Sequence, residues 1–336
     1  MTHADWTVSL LGTGSFASAT YRALPATLIE TPGAVCLVDC GDGTATRLRG
    51  LTRPRVDLVA LTGTSSSELS GMLALGETNR RATRHPLRVV GPTGLKKALE
   101  SVAAVSSASF SELFDADELI PGQAIEWTAG EYLESVAVDC SPDGANCAYL
   151  VFEAPLPGRV DAEAAMKRGI RGGDFARLVA GETVRGVRPA DIIGPARPGR
   201  RMTVVARGRL SDDLRVALEG SDVAVFAAPF MDDRLEVAQE SSYFTGWEAA
   251  DVAAQAGVRL VLLQQLGPYA PTGAYVAEAR QYHSNLFAPN DGASVRVPLP
   301  EVGPPRFDPR GGTTGGGARP TIRQPRRGGG VKPSHA

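Results

Sequence analysis

Histidine is scarce in this chain: four among 336 residues, at positions 3, 85, 283 and 335. None lies between residues 4 and 84 or between 86 and 282, so neither stretch carries a histidine-based metal motif. Cysteine is equally sparse, at positions 36, 40, 140 and 147, and no two form a CxxC pair. That excludes the common dithiol redox and cysteine–zinc signatures and leaves reduced, buried thiols in a cytoplasmic protein as the expectation. No apolar run approaches the roughly 18–20 residues that a membrane span needs, so no membrane association is expected. The first twelve residues, MTHADWTVSLLG, lack a basic n-region and a cleavage-type end, and no secretory signal is expected.

Excess charge of one sign is also missing from the chain as a whole, whose net is −2. Its distribution is uneven. Residues 303–336 hold seven basic side chains (Arg306, Arg310, Arg319, Arg323, Arg326, Arg327, Lys332) against Asp308, a net of +6 that leaves −8 for the remainder. An acidic body with a basic tail suggests a partner for the tail, RNA being one that counterion release would favour. After Pro298 the composition becomes Gly/Pro/Arg-rich and cannot support a packed core.

What is present is ample hydrophobic material, 43% of the residues, in a repeating strand pattern. Strands are predicted at Trp6–Gly12, Leu24–Thr31, Ala34–Asp39, Val56–Leu61 and Leu87–Val90, with helices at Thr44–Leu51 and Leu95–Val105. Within Val56–Leu61, the continuous apolar run Leu58–Leu61 is the mark of a strand buried on both faces. A second set of strands is predicted at Ala124–Trp127, Glu134–Val138, Ala148–Phe152, Met202–Ala206, Val223–Ala227, Arg259–Leu263 and Val295–Val297. Helices are predicted at Asp212–Leu218, Trp247–Ala256 and Ala274–Tyr282. Residues 155–200, with short helices and many Gly, Arg and Pro, read as an insertion outside the core. The order fits two sheets packed face to face with helices outside, an α/β, four-layer αββα sandwich. The domain limits are then 1–300 for the sandwich, with the insertion inside it, and 301–336 for a disordered basic tail.

Four segments in order carry a family resemblance. Leu11-Gly12-Thr13-Gly14-Ser15 resembles the opening LGTGS of ribonuclease Z, and Asp39-Cys40-Gly41-Asp42-Gly43-Thr44 resembles its DCGEGT segment. Gly91-Pro92-Thr93-Gly94-Leu95 is similar to its GPxGL unit, and residues 172–184 are similar to its GPxYGKLKxGExV segment. The resemblance spans about residues 6–300 and implies a metallo-β-lactamase-type sandwich, a dinuclear zinc site, and 3′-tRNA processing. It also implies that the insertion is an arm gripping structured, tRNA-like RNA. Arg168, Arg171, Gly172, Phe175, Arg177, Leu178, Gly181 and Glu182 are the arm residues expected to bind substrate.

The zinc ligands that the resemblance implies are missing. Where the family carries Thr-His-x-His-x-Asp-His, this chain reads Thr62-Gly63-Thr64-Ser65-Ser66-Ser67-Glu68. The bridging-site His falls near Asp139-Cys140, and the GDTR turn reads Arg207-Gly208-Arg209. The HEATF and YHST segments become Phe226–Phe230 and Tyr243-Phe244-Thr245-Gly246, and the last His becomes Gln264. Zinc needs three or four N, S or O ligands, and two-metal hydrolysis needs both ions. Gly63, Ser65, Ser67, Glu68, Asp139, Cys140, Phe244 and Gln264 are therefore degenerate positions; no metal, cofactor or catalytic residue is expected. Asp39 and Asp42 are expected to be structural, and Ser66 or Ser67 to cap the following helix. The expected role is that of a pseudoenzyme that binds RNA, or pairs as a homodimer or as a heterodimer with an active homologue. Two alternatives stay open: a phosphodiesterase with a site rebuilt on Glu68, Asp139 and Cys140, and a protein that sequesters a nucleotide in the emptied cleft.

Overall fold

A computed structural model describes residues 4–15, 21–51, 55–139 and 146–310. Fifteen strands in the described residues form two sheets. The first contains β1 (Trp6–Gly12), β2 (Ala26–Glu30), β3 (Val35–Val38), β4 (Leu58–Ala60), β5 (Leu87–Gly91) and β6 (Phe114–Glu118). The second contains β7 (Ala124–Thr128), β8 (Glu131–Val136), β9 (Ala148–Glu153), β10 (Arg201–Val205), β11 (Val223–Ala227), β12 (Leu260–Gln264) and β13 (Leu286–Phe287). The chain returns to the first sheet with β14 (Ser294–Val297) and β15 (Arg306–Asp308). Strand order is β15-β14-β1-β2-β3-β4-β5-β6 in one sheet and β13-β12-β11-β10-β9-β8-β7 in the other.

Each sheet is antiparallel in one half and parallel in the other. Pairing is parallel from β3 through β6 and from β10 through β13. Parallel neighbours require crossovers, and these supply the helices. In chain order they are α1 (Thr44–Leu48), α2 (Ser66–Leu69), α3 (Met72–Thr83), α4 (Leu95–Ala103) and α5 (Phe110–Leu113) on the first sheet's side. The insertion holds α6 (Ala162–Lys167) and α7 (Gly173–Val179). The second sheet is followed or covered by α8 (Asp212–Leu218), α9 (Leu235–Glu240), α10 (Gly246–Gln255) and α11 (Thr272–Ala279).

Side-chain alternation explains the four layers. On β1, Trp6, Val8 and Leu10 face the second sheet and meet Leu133, Val151, Met202, Val204, Leu260 and Leu262. On β3 and β4, Val35, Leu37 and Val59 point the other way, onto Met72, Leu75, Leu95 and Leu99. Val261 and Leu263 of β12 likewise meet Leu214, Ala249, Ala253 and Tyr275. A strand buried on both faces has no polar face, which is why these runs are continuously apolar.

Two differences from the sequence expectations have physical causes. β6 was hidden because Asp115, Asp117 and Glu118 break the apolar pattern of an edge strand. Glu118 also turns outward to accept the Gly94 and Lys96 N–H groups at the start of α4, at 3.1 and 3.0 Å. The segment assigned to the tail contributes β15, whose Phe307 stacks on Phe287 with centroids 4.3 Å apart. The sandwich therefore extends past residue 300 to Asp308. Tail residues 311–336, with Arg319, Arg323, Arg326, Arg327 and Lys332, lie outside the described residues.

Candidate functional site

The carboxyl ends of parallel strands are where open α/β sheets gather their ligand sites. Here those ends bring Asp39, the 62–68 loop, Arg207–Arg209 and Gln264 to the same rim of the sandwich. Asp39 follows β3 in a left-handed conformation, φ 60°. Its Oδ1 accepts from the Thr62 N–H at 2.8 Å and from Thr62 Oγ1 at 2.9 Å. Asp42, by contrast, is exposed. The structural role expected of Asp39 takes the form of a clamp on the loop that follows β4.

That loop folds onto a second acid. Ser65 is the residue before α2, yet its hydroxyl donates to the Glu68 carboxylate instead of capping the helix. Ser67 Oγ donates to Glu68 Oε1 at 2.5 Å and lies 2.9 Å from Ser65 Oγ. The expected cap at Ser66 or Ser67 is thus replaced by a hydroxyl–carboxylate cluster, because both residues lie inside the helix. Asp39 and Glu68 are 1% and 2% exposed, and neither has an ion pair among the described residues. Burial pushes the Asp39 carboxyl well above its ordinary range; the Glu68 charge adds to this, and the Thr62 hydrogen bonds only partly oppose it.

On the opposite side of the cleft, β10 leads into Arg207-Gly208-Arg209. A side chain at 208 would meet Val138 Cβ at 2.6 Å, so the turn has no room for an acid there. Arg209 binds Glu248 through two bonds of 2.9 and 2.6 Å and donates to the Tyr243 carbonyl at 2.8 Å. Its guanidinium carbon lies 5.4 Å from the centre of the Phe244 ring. Phe244 packs edge-on against Phe226, with centroids 5.4 Å apart. Gln264 is buried between the sheets and accepts from Thr27 Oγ1 at 3.2 Å. Asp139 is exposed and meets Arg209 through backbone hydrogen bonds only. Cys140 lies outside the described residues.

These residues do not fit a dinuclear zinc centre. Among the described residues no three His, Cys, Asp or Glu side chains converge as a metal group. A side chain at Gly63 would have to displace the Asn146 amide, whose Oδ1 lies 2.5 Å from where its Cβ would be. Serine hydroxyls and the Gln264 amide are weak zinc ligands, and the Arg207-Gly208-Arg209 turn offers guanidinium groups in place of a carboxylate. The arrangement holds a buried acid pair and a guanidinium–carboxylate pair; it offers no imidazole to move a proton.

The insertion is a small folded unit. Ala165, Ile170, Leu178, Val184, Val187 and Ile192 form its own core. At its base, Gly158 passes directly against the Gly194 backbone, and Arg159 and Arg197 both pair with Glu301 of the body. Leu178 is fully buried and Phe175 half-buried, so Leu178 packs the arm and presents nothing to a ligand, a correction to its expected role. Gly172 and Gly181 have φ of 54° and 93° and set the turns around α7. Between residues 160 and 195, six basic side chains face five acids. Arg177 pairs with Glu182 at 2.8 Å, Arg185 with Asp174 at 2.9 Å, and Arg188 with Asp191 at 3.1 Å. Arg168 donates to the Asp191 carbonyl, while Arg171 makes no ion pair among the described residues.

An αββα sandwich with the loop–helix after β4 at the rim of its cleft is a metallo-β-lactamase fold. Solved structures bear this out: YhfI of Bacillus subtilis superposes with a TM-score of 0.63 at 13% identity, covering 87% of this chain and 99% of that one. The short form of human tRNase Z gives 0.61 at 16%, covering 87% and 100%. No protein-family model matches the chain. Ribonuclease Z of Halorubrum lacusprofundi is 30% identical over 311 residues, 88% of this chain and 98% of that protein. The Salinibacter ruber enzyme is 31% identical over 290 residues, 79% and 85%. The chain belongs to the ribonuclease Z family.

Proposed function

We propose that this chain is a non-hydrolytic member of its family that works by binding structured, tRNA-like RNA. The observation that carries the proposal is the Arg209–Glu248–Phe244 assembly. Side chains that bond one another occupy the part of this rim supplied by the second sheet, across from the Gly63–Glu68 loop of the first. The arm supports the binding half of the reading, since it folds on its own core and presents Arg168, Arg171, Arg177 and Arg185 at the surface. The pairs that Arg177 and Arg185 make with arm acids are surface pairs, worth about 0–1 kcal/mol each, and exchange readily for phosphate.

A protein partner, such as an active homologue, is the second reading. The near balance of arm charge favours it, as do Met166 and Val179, 55% and 49% exposed on the same arm.

One set of measurements tests both. Purified protein is analysed for zinc, assayed for cleavage of a precursor tRNA, and titrated with tRNA across salt. The expected result is no stoichiometric zinc, no cleavage, and salt-dependent binding. Replacing Arg168, Arg171 and Arg177 with Glu should flatten the salt slope by about one unit per lost phosphate contact. Zinc retained at one or more ions per chain, with cleavage lost in Glu68→Gln, would overturn the non-hydrolytic reading. No tRNA binding at low salt would shift the case to a protein partner.

A further inference from the structure

A cavity of about 340 Å³ lies on the outer face of the second sheet. α8 covers Val136, Ala148, Leu150 and Val205 there, but it is only seven residues long. The cross-strand row Tyr132, Phe152 and Arg201 is left half-buried beside it, with Tyr132 and Phe152 stacked at 5.3 Å. Apolar floor and charged rim are both present: Val136, Leu150 and Phe152 line the cavity together with Glu134, Arg201 and Asp213.

The charges are uncommitted. Among the described residues, Arg201, Glu134 and Asp213 form no ion pair, and Arg201 Nε is sealed from solvent without a hydrogen-bond partner. Glu134 lies opposite Leu150 on β9, and Arg201 lies opposite Phe152 from the other side, so two strand spacings and a two-residue step along β9, about 12 Å in all, separate their backbones. Arg201 lines the cavity with a full positive charge and no carboxylate partner among the described residues, and an anion in the cavity would supply one. An anion alone would face Glu134 and Asp213 as like charges, and a cation alone would face Arg201.

We propose that this cavity binds a small zwitterion with an apolar body. Its carboxylate sits on Arg201, its ammonium on Glu134 and Asp213, and its hydrocarbon against Val136, Leu150 and Phe152. The volume is at the small end of ligand pockets, which suits a molecule of amino-acid size. An α-amino acid and an ω-amino acid share this chemistry and differ in charge spacing.

Calorimetric titration of the full chain with L-leucine, L-phenylalanine and 6-aminohexanoate tests it, with 4-methylpentanoate and isoamylamine as single-charge controls. At least one zwitterion should bind saturably, and the controls should bind at least about tenfold more weakly. Arg201→Gln and Glu134→Gln should each weaken binding by a similar factor. Asp213→Asn, at the exposed start of α8, gives the same test should either variant melt early. No saturable signal from any zwitterion up to about 10 mM, or binding unchanged in the folded variants, would overturn the proposal.

Discussion

Arg209 and Glu248 form a two-point ion pair, 2.9 and 2.6 Å, that ties the loop after β10 to the first turn of α10. Their side chains are 27% and 12% exposed, so the pair is only partly screened by water. Glu248 also accepts from the Thr245 N–H at 2.9 Å, which makes it half of a helix cap and half of a cross-link. Burial alone would push its carboxyl up. The Arg209 hydrogen bonds, the Thr245 N–H and the Arg209 charge outweigh that and hold it below its ordinary value.

Removal of that carboxylate should therefore be felt as lost stability. Glu248→Gln leaves Arg209 beside Phe244 without its counter-charge, at a cost of about 2 kcal/mol near neutral pH. A depressed carboxylate pKa stabilises the fold above the unfolded value and loses that contribution as pH falls through the folded value. Urea titrations should then show wild type and variant converging as the solution is acidified below the ordinary glutamate range. A gap that stays constant with pH would mean the pair acts by shape alone.

Asp39 has the opposite sign. Its carboxyl is raised, chiefly by burial and next by the Glu68 charge, so the folded state holds a proton that the unfolded chain releases. Stability from this group is fully present below the ordinary aspartate value and declines as pH rises through the folded one. Asp39→Asn keeps an acceptor for the Thr62 N–H and cannot ionise. Melting temperatures measured from mildly acidic to alkaline pH should fall less for the variant than for wild type. Parallel curves would show that the acid pair is not a source of pH dependence.

The sandwich was legible because its central strands have no polar face: Leu58–Leu61 can only be buried on both sides. β6 was not, since Asp115 and Asp117 occupy alternate positions of an edge strand. β13 was too short to stand out, having only Leu286 and Phe287. The missing metal donors were equally plain, because a ligand set is a matter of residue type. What replaced them was not. Arg209 and Glu248 are 39 residues apart, and nothing local links them. Thr245-Gly246-Trp247-Glu248 is readable as a capping box, which places Glu248 on the first turn of α10 but not against an arginine. Gly63 and Asn146 meet only because β9 follows on from residue 146 beneath the loop that follows β4; the Cys147 N–H bonds the Thr62 carbonyl at 2.9 Å.

If the proposed non-hydrolytic reading holds, putting the family's loop motif into this chain should not by itself produce hydrolysis. Gly63→His, Ser65→His, Ser67→Asp and Glu68→His together would return donors to one side of the cleft. The Gly63 imidazole must first push aside the Asn146 amide, a flexible group that can yield. Across the cleft nothing yields: Val138 still blocks a side chain at 208, Arg209 still carries its charge, and Phe244 and Gln264 still lack a good donor. The fourfold variant should bind at most one zinc per chain and leave precursor tRNA uncut, because in-line displacement at a two-metal site needs both ions. Two zinc per chain, or cleavage above the metal-free control, would show that the far wall can still take part.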